Sequence, residues 1–139
     1  MQPTQSSIYR DLELLMLWYI PIGNKLPNER ALQNIGNYIQ DSISESLTAC
    51  AIALNTSDGK SRLELIDMIV WNLTKCKSNF MILQQWCSKK QKEDHKFRVI
   101  TESQCLTFTE RMADLKRQIG GWRKKTVTTL NGFGHEGNN

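Results

Sequence analysis

Four stretches of this chain repeat apolar residues at alternating steps of three and four, a spacing that leaves little room for any fold except helices packed against helices. The first stretch places Ile8, Leu12, Leu15, Tyr19 and Ile22 on one stripe. In the second, Leu32, Ile35, Ile39, Ile43, Leu47, Cys50 and Leu54 lie within one arc, backed by the polar face Asn34, Asn37, Asp41, Ser44 and Thr48. Ile66, Ile69, Leu73, Cys76, Phe80, Leu83 and Cys87 form a heptad pattern in the third, and Cys105, Phe108, Met112, Leu115, Ile119 and Trp122 repeat it in the fourth. No stretch of useful length alternates with period two, so the fold class is all-α.

Punctuation residues set the expected limits at 6–22, 28–54, 60–87 and 101–124. Pro21 should kink or end the first helix, because it lacks an amide donor and crowds the preceding turn. Ser61-x-x-Glu64 reads as the capping box of the third helix, and Thr101 with Gln104 opens the fourth. Helices two and three are each long enough for an antiparallel hairpin of about 40 Å at 1.5 Å per residue. The whole reads as an up-down-up-down antiparallel four-helix bundle over residues 1–125, in one domain. Residues 126–139, rich in Gly and Asn and without a repeating apolar face, are expected to form a flexible tail.

Charge divides unevenly. Residues 1–59 hold three Lys or Arg against six Asp or Glu, and residues 60–139 hold fifteen against eight. The C-terminal part therefore suits an anionic partner such as nucleic acid, or it is an ordinary solvated basic surface. Between Ser88 and Arg98 stand Lys89, Lys90, Lys92, Lys96 and Arg98 with no apolar period, which reads as a basic loop.

Catalysis has little to work with. The two histidines, His95 and His135, have no titratable companion at useful spacing, and no phosphate-loop, dinucleotide, zinc-protease or nucleophile-elbow motif occurs. The expectation is a protein that is not an enzyme, with no cofactor, metal or small-molecule substrate. The cysteines at 50, 76, 87 and 105 contain no C-x-x-C pair and fall on apolar faces, so they read as core residues in a reducing cytoplasm. The apolar run from Leu14 to Ile22 is too short to span a bilayer, and no targeting segment is expected.

Helix four carries Leu106, Ala113 and Gly120 every seven residues away from its core stripe, beside Arg117 and Lys124 at the same interval. This strip suits a close helix contact with a cationic border, or it is a solvent face with three tolerated apolar residues. Leu65, Met68, Trp71, Ile82 and Trp86, with Leu14, Leu17 and Trp18, also lie off the core stripes. That excess suggests a homo-oligomer, with a broad core contact as the competing explanation. The interface set is Leu106, Ala113, Gly120, Trp18 and Trp71.

Leu26-Pro27-Asn28-Glu29-Arg30 before the second helix and Gln118-Ile119-Gly120-Gly121-Trp122-Arg123-Lys124 closing the fourth resemble the accessory variability determinant family of diversity-generating retroelements. The resemblance spans about residues 8 to 125. It implies a homopentameric barrel of four-helix bundles that associates with a reverse transcriptase and its template RNA, or an RNA/DNA hybrid, and supports mutagenic cDNA synthesis without catalytic residues of its own. Family members tend to carry arginines along the third helix where this chain has Asp67 and Trp71. The binding set expected here is therefore Lys75, Lys77, Lys89, Lys90, Lys92, Arg111, Lys116, Arg117, Arg123, Lys124 and Lys125. The competing reading is a structural adaptor that binds only protein.

Overall fold

The computed structural model describes residues 3–94 and 100–137, with side-chain surroundings for 7–94 and 100–132. His95, Lys96 and Arg98 lie outside the described residues, as do the side-chain surroundings of His135. Four helices make up the fold: α1 (Pro3–Asn24), α2 (Arg30–Leu54), α3 (Gly59–Glu93) and α4 (Glu102–Gly137). Among the described residues there is no strand. α1 packs on α2 and α4, and α3 packs on the same two, most extensively on α2. The result is a four-helix bundle.

The three-four stripes supply its core. Ile8, Leu12, Leu15 and Tyr19 of α1 meet Ile66, Ile69, Leu73, Cys76, Phe80 and Leu83 of α3 and Phe108, Met112, Leu115, Ile119 and Trp122 of α4 in one buried cluster. At its centre Phe80 and Phe108 stack at 3.9 Å between ring centroids, with the Trp18 ring 6.1 Å from Phe108. Such stacked rings add to what their buried area contributes.

α2 is turned from the orientation its large residues suggest. Leu32, Ile39, Ile43 and Cys50 are buried as expected, but Ile35, Leu47 and Leu54 are only partly so. Gly36, Ser42, Ser46, Ala49 and Ala53 are buried in addition. Small side chains let neighbouring helices approach, and the two serines satisfy themselves within the helix. Ser46 Oγ donates to the Ser42 carbonyl and Ser42 Oγ to that of Tyr38, each at 2.8 Å.

Local chemistry explains where the helices begin and end. Pro21 does not end α1, which continues to Asn24. Both Pro21 and Leu17, whose carbonyl loses its helical donor, face outward, so water replaces the missing bond at little cost. The Leu26-Pro27-Asn28-Glu29-Arg30 segment forms the turn that follows. Gln33 Nε2 donates to the carbonyls of Leu26 and Pro27, at 3.2 and 3.0 Å. Tyr19 Oη donates to the Gly36 carbonyl at 3.0 Å. Leu26 lies so close over Gly36 that a Cβ there would stand 2.5 Å from Leu26 Cδ1.

α3 starts at Gly59, two residues before the expected capping box. Its N-cap is Asp58, whose Oδ2 accepts from the Ser61 amide at 3.2 Å and the Ser61 hydroxyl at 2.6 Å. Those bonds hold the Asp58 carboxyl below its usual range. Ser61 is thus the capped residue and not the cap, because Asp58 stands three residues earlier and its charged carboxylate reaches the free amide of Ser61. α4 has the expected reciprocal box. Thr101 Oγ1 accepts from the Gln104 amide at 3.1 Å, and Gln104 Oε1 accepts from the Thr101 amide at 2.9 Å.

Two segments expected to be irregular are helical. α3 runs on to Glu93, so Lys89, Lys90 and Lys92 occupy a helix and not a loop. Lys90 and Lys92 lie in the last turn, where cations offset the negative end of the helix dipole. α4 continues past 125 to Gly137 through most of the expected tail. Thr126 is buried, and Leu130 packs at the start of α3, where a Cβ on Gly59 would stand 2.9 Å from Leu130 Cδ2.

Candidate nucleic-acid and partner interface

The cations expected to bind, all on α3 and α4, fall into three groups by what surrounds them. Three are neutralised by carboxylates. Arg123 Nε donates to Asp67 Oδ1 at 2.7 Å across α4 and α3. Arg117 meets Asp114 one turn away at 3.1 Å, and Lys75 lies 3.9 Å from Glu45 of α2. All three pairs are exposed and individually weak.

Arg111 forms the second group. It is half-buried, and its Nε is enclosed without a hydrogen-bond partner, so it is not on the open surface the sequence assigned to it.

The third group has no carboxylate within ion-pairing distance among the described residues, and it comprises Lys77, Lys89, Lys90, Lys92, Lys116, Lys124 and Lys125. Lys89 and Lys90 place their ammonium groups 5.9 and 5.0 Å from the Trp86 ring centroid, within cation–π range. Lys89, Lys92, Lys124 and Lys125 are exposed. Lys77 and Lys116 face each other across the α3/α4 seam. Partial burial, then the Lys77 charge, hold the Lys116 ammonium below its ordinary value.

The expected interface residues separate in the same way. Trp18 is occupied inside the chain by Phe80 and Phe108, and Leu65 and Trp86 pack against the core. Trp71 and Leu106 stay open, 66% and 60% exposed. Ala113 is exposed, and Gly120 has no atom within 4 Å of where a side chain would begin. Val70 and Met81 are also exposed and were not foreseen. Val70 precedes Lys77 by seven residues and Met81 follows it by four, a spacing that places all three on one side of α3.

Of the four thiols, Cys50, Cys76 and Cys87 are buried and Cys105 is half-buried. Burial pushes Cys50 and Cys76 up to about 12 and Cys87 to about 11. Among the described residues no three His, Cys, Asp or Glu side chains stand where they could hold a metal ion. Likewise no described helix is long and apolar enough to cross a membrane. A cavity of about 320 Å³ lies between Asp58, Arg62, Thr126 and Leu130. Arg62 is already committed there, donating from Nε and Nη2 to the Thr56 carbonyl at 3.1 and 2.6 Å.

Fold and surface together define a helical bundle with uncompensated lysines and open apolar residues on its outer faces. No family model, curated protein or solved structure matches the chain.

Proposed function

We propose that this chain is a non-catalytic RNA-binding accessory protein that works with the reverse transcriptase of a diversity-generating retroelement. The observation that carries this reading is the set of exposed lysines Lys89, Lys92, Lys124 and Lys125, which no described carboxylate neutralises. Free cations attract phosphates and release their counterions on contact, and here they form two separate pairs, Lys89 and Lys92 toward the end of α3 and Lys124 and Lys125 beside the Arg123–Asp67 contact toward its start. The resemblance of the Leu26–Arg30 and Gln118–Lys124 segments to the accessory variability determinant family supplies the partner and the homopentameric barrel. An antiparallel course of α3 and α4, as an up-and-down bundle requires, is supported by the pairs Gly59 with Leu130, Asp67 with Arg123 and Phe80 with Phe108, whose order in α4 is reversed. A cytoplasmic setting fits the four free thiols.

Fluorescence anisotropy with a labelled retroelement template RNA tests the reading. The double variant Lys124→Glu/Lys125→Glu is expected to weaken binding at least about tenfold, since reversal replaces attraction with repulsion at two phosphates. Unchanged affinity would exclude this surface. The exposed Trp71 and Leu106 side chains favour a second reading, an adaptor that binds only protein, and failure of the wild-type chain to bind RNA would select it.

A further inference from the structure

Cys87 and Cys105 line one small cavity, of about 120 Å³, where the last turns of α3 meet the opening of α4. Cys87 stands seven residues beyond Phe80 and Cys105 three before Phe108, so both thiols lie just past the stacked ring pair on the same helix contact. Residue order is reversed between the two helices there, and helical side chains lean toward the start of their own helix. Cys87 therefore leans back toward the ring pair and Cys105 away from it, which turns the two thiols toward each other. Burial, and after it the Cys105 sulfur, raise the Cys87 thiol above its ordinary range, the second an effect that requires proximity.

The surroundings of this pair differ from those of the other cysteines. Cys50 and Cys76 are wholly enclosed in the apolar core. The cavity at Cys87 and Cys105 is walled as well by Gln84, Ser88, Gln91, Thr101 and Glu102. Such polar walls admit water, and a thiol must lose its proton before its sulfur can attack. Access is unequal within the pair. Cys105 is half-buried and open to a small reagent, whereas Cys87 is only 6% exposed. A mixed disulfide formed at Cys105 would therefore stand beside a second thiol that the reagent itself reaches poorly. That is the arrangement of an attacking and a resolving thiol.

We propose that Cys87 and Cys105 are a redox pair, closed to an intramolecular disulfide by exchange with a small-molecule disulfide such as oxidised glutathione. The Cys105 thiolate attacks one sulfur of the reagent, whose S–S bond breaks and releases one small thiolate. The Cys87 thiolate then attacks Cys105 Sγ in the mixed disulfide, forming the Cys87–Cys105 bond and expelling the second small thiolate. The protein gives up two electrons and two protons, and the reagent takes them as two thiols. The new bond ties the end of α3, with Lys89 and Lys92, to the opening of α4. Disulfides of this kind in a reducing compartment are transient and redox-sensing, and this one does not depend on the RNA-binding role.

The experiment treats the folded full chain with excess dithionitrobenzoate, follows thionitrobenzoate release by absorbance and weighs the product by mass spectrometry. Two thionitrobenzoates per chain are expected, with a product two hydrogens lighter than the starting chain and free of adduct. Peptide mapping should find Cys87 joined to Cys105, and dithiothreitol should restore the starting mass. Cys87→Ser should release one thionitrobenzoate and keep the other on Cys105, and Cys105→Ser should slow the first release at least about tenfold, because access governs exchange. A wild-type product that keeps the adduct on Cys105, a disulfide joining two chains through Cys105, or a bond to Cys50 or Cys76 overturns the proposal. The wild-type peptide map decides the matter even where a variant fails to fold.

Discussion

Tyr19 shows how one residue can belong to two patterns at once. Its ring sits on the α1 core stripe, and its hydroxyl leaves that stripe to reach the Gly36 carbonyl of α2. The helix period places the ring, whereas the hydroxyl's acceptor lies seventeen residues away and becomes visible only when α2 is docked. Tyr19→Phe should lower stability by about 1 kcal/mol in urea unfolding, the usual net worth of a buried hydrogen bond, and an unchanged midpoint would show that the bond contributes nothing. The cysteines divide similarly. Apolar spacing placed all four in the core, but Cys105 is half-buried beside the opening of α4, so dithionitrobenzoate should modify it first and reach Cys50 and Cys76 only on unfolding. The same burial sets an alkaline limit. A thiol raised in the folded chain stays protonated there, while in the unfolded chain it ionises near its ordinary value. Stability is therefore intact below about pH 9 and declines as pH rises toward the folded values of about 11 to 12.

At the scale of the helices, the sequence located every centre and misjudged several ends. The expected α4 stopped at 124 because the residues beyond carry glycine and asparagine, poor helix formers. The signal that they continue was present in Ile119, Trp122, Thr126 and Leu130, which keep the three-four step. Threonine is not counted as apolar, which hides this step, yet Thr126 Oγ1 donates to the Trp122 carbonyl and can therefore be buried. A chain ending at Lys125 should lose about 1–2 kcal/mol and melt on the order of 5 °C lower by circular dichroism, because Trp122 and the start of α3 lose the cover of Thr126 and Leu130. An unchanged melting temperature would mean that this last stretch does not pack. α2 failed differently. Its large residues define one arc, but its small ones, Gly36, Ser42, Ser46, Ala49 and Ala53, decide which side neighbours approach, and hydrophobicity alone does not weigh smallness.

For the whole molecule, the partition of charge was legible and its availability was not. The excess of cations in residues 60–139 follows from counting, but Asp67, Asp114 and Glu45 neutralise Arg123, Arg117 and Lys75, three of the expected binding residues. Only Arg117 has its partner nearby in sequence; the other two are matched across helices. What remains for RNA in the proposed role is Lys89, Lys92, Lys124 and Lys125. Four phosphate contacts imply a slope of log affinity against log salt near about −3 for a single strand, and the Lys124→Glu/Lys125→Glu change should reduce its magnitude by about 1.4. A flat response to salt would remove phosphate contact from the proposed function.

The sequence by itself determined an all-helical chain of four elements, the heptad stripes that meet in the core and the sign of the charge on its C-terminal part. Each of these depends on residue spacing along one helix or on a count, and neither needs knowledge of a neighbour. Tertiary structure decided which cations stay free and which side of α2 is covered. Those outcomes depend on how far each helix is rotated and shifted against the next, and that is set by the fit of small and large side chains across the whole bundle.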